Sequence, residues 1–236
     1  MNKQGLSQKY CSITGVLMCA VLVLTTAPST WAKDKLPEVS SDGLHLVKHA
    51  KVEVAYAKPG ATLDTYTKVK ILDCFVQFRK NWERDYNLNE VGLEGRVTDK
   101  DADAIKNHLA AEFNKVFTKV LTKGGHEVVD ETGPDVLLLR PAIINLDVTA
   151  PDIMTPDITQ TYVTSAGQMT LYMEMYDSAT STLLARVIDP QAGDTGGIAM
   201  ISNRVTNMAE ADQIFHHWAK LLNGHLADMK KSTAGR

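Results

Sequence analysis

Apolar residues recur at three- and four-residue steps over 99–123 and again over 207–229, and at every second position in several shorter stretches between. In the first segment Ala102, Ile105, Leu109, Phe113, Val116, Phe117, Val120 and Leu121 make one continuous stripe, as a helix with one buried face requires. Thr98 and Asp101 have capping-box spacing before it. Asp99, Asp101 and Asp103 crowd its positive end and Lys115, Lys119 and Lys123 its negative end, as the helix dipole favours. Gly124-Gly125 supplies the stop. The second segment starts at Asn207 and Glu210, also spaced as a capping box, and carries Ile214, Phe215, Trp218, Leu221, Leu222 and Met229. A frayed tail from Lys230 to Arg236 is expected after it.

The alternating stretches predict strands. Val52–Tyr56 alternates and stops at Pro59-Gly60. Val69–Phe78 has Leu72, Cys74, Val76 and Phe78 on one face and Val69, Ile71 and Phe75 on the other, which predicts a central strand covered on both sides. His126–Val129 is short, and Asp135–Val148 is long and apolar, with Pro141 predicting an edge or a bulge. Gln168–Asp177 puts Met169, Leu171, Met173 and Met175 opposite Thr170, Tyr172, Glu174 and Tyr176. Thr182–Asp189 pairs back onto it as a hairpin, with Leu183, Ala185 and Val187 on one side. Residues 79–97 are charged and read as irregular, anchored by Trp82 and Tyr86. The order predicts an α+β fold: a single two-layer domain over 51–230, a mostly antiparallel sheet with two main helices on one face.

The N-terminus changes the picture most. Lys3 and Lys9 precede an apolar run, Ile13–Ala27, and Thr30-Trp31-Ala32 follows as a small-residue cleavage site. That is a secretory signal layout, expected to be removed at Ala32, and the run is shorter than the roughly 20 residues of a membrane span. An exported protein is therefore expected. Cys19 is a poor lipid acceptor, because Met18 before it is large. Residues 33–50 read as a leader docking through Leu44, Leu46 and Val47. Beyond residue 32 one cysteine remains, Cys74, so no internal disulfide forms, and 23 basic against 28 acidic residues leave a net charge of −5. An acidic balance without a Lys/Arg cluster suits neither nucleic acid nor an anionic lipid surface.

Phe78-Arg79-Lys80-Asn81-Trp82, Arg96-Val97 ahead of an acidic helix start, and Glu174-Met175-Tyr176-Asp177 resemble one bacterial family of exported and lipid-anchored proteins, domain of unknown function 3313. The resemblance spans roughly Pro37 to Lys230 and implies an envelope location and this fold class, with no catalytic residues to carry over.

Candidate chemistry is thin. Asp194-Thr195-Gly196 matches the aspartic-protease triplet but has no second copy, and that mechanism needs two. Asp189 and Asp194 lack the alternating acids of a calcium loop. His45 and His49 have the i, i+4 spacing of a zinc pair on a helix, but no cap and no third ligand. His216 and His217 are adjacent and point apart, and His225 reads as a helix-surface residue. Cys74 sits in an apolar strand, where a thiol is inert. No cofactor, metal or catalytic residue is expected. The methionine stripe of 168–177 reads as core, with an adaptable binding face as its alternative. Thr149–Ala166 holds five threonines and two Pro-Asp-Ile copies and is too long for a routine connection. An interaction surface is expected there, at Pro151, Ile153, Met154, Pro156, Ile158 and Tyr162, together with the Gly193–Ser202 loop. The functional expectation is a non-catalytic exported binding protein with a small ligand between sheet and helices. Its alternative is an auxiliary subunit of an envelope assembly or transport system holding a protein, and a hydrolase is a distant third.

Overall fold

A computed structural model of the chain describes residues 36–89, 95–149, 161–163, 167–193, 200–202 and 204–234. The signal-like segment therefore lies outside the described residues. In chain order the elements are β1 (His45–Leu46), β2 (Val54–Ala57), β3 (Lys68–Ile71), β4 (Phe75–Phe78), α1 (Trp82–Asn89), α2 (Asp99–Lys123), β5 (Glu127–Val128), β6 (Val136–Val148), β7 (Thr161–Val163), β8 (Gly167–Asp177), β9 (Leu183–Ala192), β10 (Met200–Ser202) and α3 (Arg204–Ala234). The main sheet runs β1-β2-β9-β8-β6-β3-β5, with β4 also on β6, while β7 and β10 form a separate antiparallel pair. Pro37–Arg236 forms one compact unit.

The architecture is α+β, but the sheet is mixed rather than mostly antiparallel. β3 and β4 both run parallel to β6, and β3 runs parallel to β5. The cause is α2. A 25-residue helix between β4 and β5 carries the chain back along the sheet, so the next strands start from the same end. Hairpin connection then makes β8 and β9 antiparallel. The described helices number three rather than two, because 82–89 forms α1 where an irregular stretch is expected. Its Trp-Glu-Arg-Asp-Tyr-Asn-Leu-Asn run has no apolar stripe. It is anchored by Trp82, whose ring stacks on Phe78 at 3.9 Å and whose Nε1 donates to Val148 O at 3.0 Å, with Tyr86 packed beside it as expected and Asn87 exchanging hydrogen bonds with the Val97 backbone.

The Val69–Phe78 stretch is not one strand covered on both faces. Ile71 pairs with Leu139 and Phe75 with Ala142, so four steps on one strand match three on the other. This extra residue switches the facing parity. Val69 and Ile71 pack into the core before the break, Cys74, Val76 and Phe78 after it, and Phe75 is left exposed. A second irregularity at Asn145, whose φ is 52°, does the same to β6: Leu137, Leu139 and Ile143 face inward before it and Leu146 after it. Pro141 is in a central strand, not at an edge. Leu72 N donates to Leu139 O, so the odd residues of β6 aim their amides at β3 and β4, and Pro141 falls opposite the gap between them.

α2 has the bounds its pattern predicts. Thr98 N donates to Asp101 Oδ2 at 3.0 Å and Asp101 N to Thr98 Oγ1 at 3.4 Å, completing the capping box. Thr98→Ala is expected to cost about 1 kcal/mol, read as a drop of roughly 2–4 °C in Tm for a domain of this size. α3 is longer than its stripe, from Arg204 to Ala234. Both long helices cover the same face: Leu109, Phe113, Val116, Phe117 and Leu121 of α2 and Phe215, Trp218, Leu222 and Leu226 of α3 join the inward residues of β3, β4, β6 and β8 in one core.

Candidate functional site

α3 does not close on the sheet along its whole length. Near the β2 edge it leaves a cavity of about 310 Å³. Leu171, Met173 and Met175 of β8 and Ala185 and Val187 of β9 form the floor. Trp218, Leu221 and Leu222 of α3 form the roof. Ala55, Tyr56 and Ala57 of β2 and the 47–52 segment close the side. The volume lies at the lower end of the range of ligand pockets, roughly 300–1,000 Å³. Charged and imidazole groups (His49, Lys51, His225 and Asp228) all belong to the mouth, being exposed, and Lys51 Nζ lies 3.9 Å from Asp228 Oδ2. Two further lining residues carry polar groups, and both are engaged. Tyr56 Oη donates to Pro37 O at 3.0 Å, and Trp218 Nε1 donates to Asp189 Oδ2 at 2.8 Å.

Two buried carboxylates frame this region. Asp189, only 4 % exposed, also accepts from Gln191 Nε2 and from Glu53 N, each at 2.8 Å, and so ties α3, β9 and the start of β2 together. Glu174, 7 % exposed, sits on the opposite face of the sheet. It accepts from Tyr172 Oη (2.9 Å), Tyr176 Oη (2.7 Å) and Arg186 Nη2 (3.0 Å), with Arg140 Nη1 at 3.5 Å. Arg186 also pairs with Asp42, which fastens the 37–44 segment over that face. Burial would raise the Glu174 pKa, but the bonds from Tyr176, Tyr172 and Arg186 outweigh it and hold the carboxyl below its ordinary value. Burial and the bond to Glu174 push Tyr172 up to about 12, so its hydroxyl remains a donor at neutral pH. Both carboxylates have their oxygens filled by protein donors, so each acts as a cross-link between neighbouring elements.

Comparison with known proteins gives the lineage. The family model described as a protein of unknown function, DUF3313, matches residues 39–222. The chain belongs to the DUF3313 family. No curated protein matches the sequence. Among solved structures, this DUF3313 chain is similar to protein XCC0632 from Xanthomonas campestris, at 10 % identity over 75 % of this chain and 93 % of that one, TM-score 0.41. It is similar also to the PelC dodecamer from Paraburkholderia phytofirmans, at 9 % identity over 69 % and 92 %, TM-score 0.35. A third is a putative neuraminyllactose-binding hemagglutinin homolog from Helicobacter pylori, at 11 % identity over 75 % and 93 %, TM-score 0.34. At such TM-scores these likenesses say nothing of what the chain binds.

The stretches that carry the DUF3313 resemblance are structural. Phe78–Trp82 makes the corner into α1, where Arg79 bonds Asp147 and Asp85 at 2.7 and 2.8 Å. Val97 packs on Trp82, and Glu174 centres the outer cluster. Among the residues singled out from sequence, 150–160 and 194–199 lie outside the described residues, and with them Pro151, Ile153, Met154, Pro156, Ile158 and Asp194. Tyr162 lies in β7, and the register sets it against Ile201, so the two long loops meet backbone to backbone. His45 and His49 are not on a helix: His45 begins β1 and His49 has φ 62°. Burial pushes the Cys74 thiol up to about 12, which leaves it protonated. Among the described residues no three His, Cys, Asp or Glu side chains gather as a metal site, and no helix is long and apolar enough to cross a membrane. The sequence expectation put a small ligand between sheet and helices but assigned it none of this pocket's walls, which come from five separate stretches. The available signal was the methionine stripe. It is core, and Met173 and Met175 of it are also pocket floor.

Proposed function

We propose that this protein is an exported, non-catalytic binding protein of the bacterial envelope that takes a small apolar ligand in the pocket beneath α3. One observation carries the reading: a ligand-sized cavity with an apolar interior, whose ionic groups stand only at the entrance. Its methionine floor suits an apolar guest of variable shape, because thioethers repack at little cost. The signal-like N-terminus supports export. The test uses N-phenyl-1-naphthylamine, an uncharged fluorescent probe. Wild-type protein should bind one probe molecule per chain. Ala185→Phe, or Ala57→Leu from the other wall, should weaken binding about tenfold or more, equivalent to at least ~1.4 kcal/mol, while circular dichroism shows the fold retained. Equal binding by wild type and both filled variants would place the probe elsewhere and contradict the proposal.

The alternative, an auxiliary subunit of an envelope assembly, draws support from the pairing of Thr161–Val163 with Met200–Ser202. It proposes Pro151, Ile153, Met154, Pro156, Ile158 and Tyr162 as the surface that holds a partner protein. Removing residues 150–160 should then release a crosslinked envelope partner and leave probe binding intact. Retention of that partner would count against it.

A further inference from the structure

We propose that the pocket's ligand is a medium-length acyl chain with an anionic head group, bound tail inward with its head at Lys51. The inference rests on the pocket reading and specifies its ligand class. The interior offers no side chain for a second polar group to bond, since Trp218 Nε1 is already taken by Asp189 and Tyr56, paired with Arg186, sends its hydroxyl to Pro37 O on the outer face. A guest with hydroxyls or amides along its body would therefore bury them unpaired. A hydrocarbon chain has none. A space of about 310 Å³ lies at the lower end of ligand pockets, which suits a chain of medium length.

The mouth selects the head. Lys51 is the basic residue of the rim, and its acid neighbour there is Asp228 at 3.9 Å, with both side chains mostly exposed. Such a pair contributes little and exchanges partners readily. A carboxylate or phosphate at the entrance gains a charge-assisted bond from Lys51, and His49 and His225 add two further donors on the same rim. A cationic head would meet Lys51 at the entrance, with Asp228 as its sole counter-charge among the lining residues.

The shared chemistry fits a free fatty acid or the acyl chain of a phosphate-headed lipid, and the experiment separates them. Displacement of N-phenyl-1-naphthylamine is titrated with decanoate, decyl phosphate, decan-1-ol and decyltrimethylammonium, on wild type and on Lys51→Glu. The anions should displace the probe at about tenfold lower concentration than decan-1-ol, a gap in keeping with one charge-assisted contact. In Lys51→Glu the ratio of decanoate to decan-1-ol should fall to about one. Preference for decanoate assigns the source as a free fatty acid, and preference for decyl phosphate as a phosphate-headed lipid. Equal displacement by anion, alcohol and cation, or a ratio unmoved by Lys51→Glu, overturns the head-group assignment and leaves the apolar pocket standing. Failure of the probe itself to bind overturns the pocket reading as well.

Discussion

Glu174→Ala is expected to destabilise the fold by about 3 kcal/mol, because removing one partner of a buried ion pair leaves the other charge uncompensated. Arg186, whose side chain is 16 % exposed, would keep only Asp42 at the outer rim, and the hydroxyls of Tyr172 and Tyr176 would lose their shared acceptor. For a domain of this size the loss should read as a fall of roughly 6–12 °C in Tm. Glu174→Gln keeps the shape and one acceptor and should lose less. The sign with pH follows from the lowered Glu174 pKa. The stability that the carboxylate contributes is fully present above its unfolded value of about 4.3 and disappears as pH falls through the lower folded value. The Tm gap between wild type and Glu174→Ala should therefore be constant near neutrality and shrink in acid. A gap below 1 °C at pH 7, or one that widens in acid, would mean that the cluster is not holding the outer face.

Phe113→Ala is expected to cost about 3–5 kcal/mol, the range for a fully buried phenylalanine that leaves a cavity. Phe113 has no exposed surface, stacks on Phe117 at 4.0 Å and meets Phe215 edge-on at 5.5 Å. It is one ring through which α2 packs on α3, and α3 is the roof of the pocket. Urea denaturation should show a lower midpoint with an unchanged slope. Because the roof is loosened, binding of N-phenyl-1-naphthylamine should weaken too. A midpoint within error of wild type would show that α2 and α3 are held apart from this contact.

What the sequence made legible were the elements with a repeating signal. α2 could be read to the residue because stripe, capping box, charge gradient and terminal glycines all agree. The β8–β9 hairpin was legible from the clean alternation of β8, but a register break after Met175 sets Leu183 against Tyr176 and buries Leu184, so Leu183 does not share a face with Ala185 and Val187 as the pattern predicts. The failures have physical causes. A one-residue bulge between Ile71 and Phe75 turns a single inward face into what looks like two apolar faces. Pro141 signals an edge only if its neighbour is continuous, and here the neighbour is broken beside it. α1 rests on single contacts of Trp82, Tyr86 and Asn87 and has no apolar periodicity to detect. Strand direction is not encoded in a strand's own pattern; the long α2 crossover decides it. The pocket is a gap between elements, so only the register of β8 with β9 and the seat of α3 reveal it. Its floor was visible as a methionine stripe, but a stripe looks the same whether a helix or a ligand covers it.

The central claim is that an apolar molecule occupies the space beneath α3. A crystal structure grown with 10-bromodecan-1-ol tests it most directly, because bromine marks the chain end by its anomalous signal. The expected result is one bromine peak inside the cavity, against Met173, Met175 and Trp218. A well-ordered protein with the cavity empty and the bromine elsewhere would contradict the account.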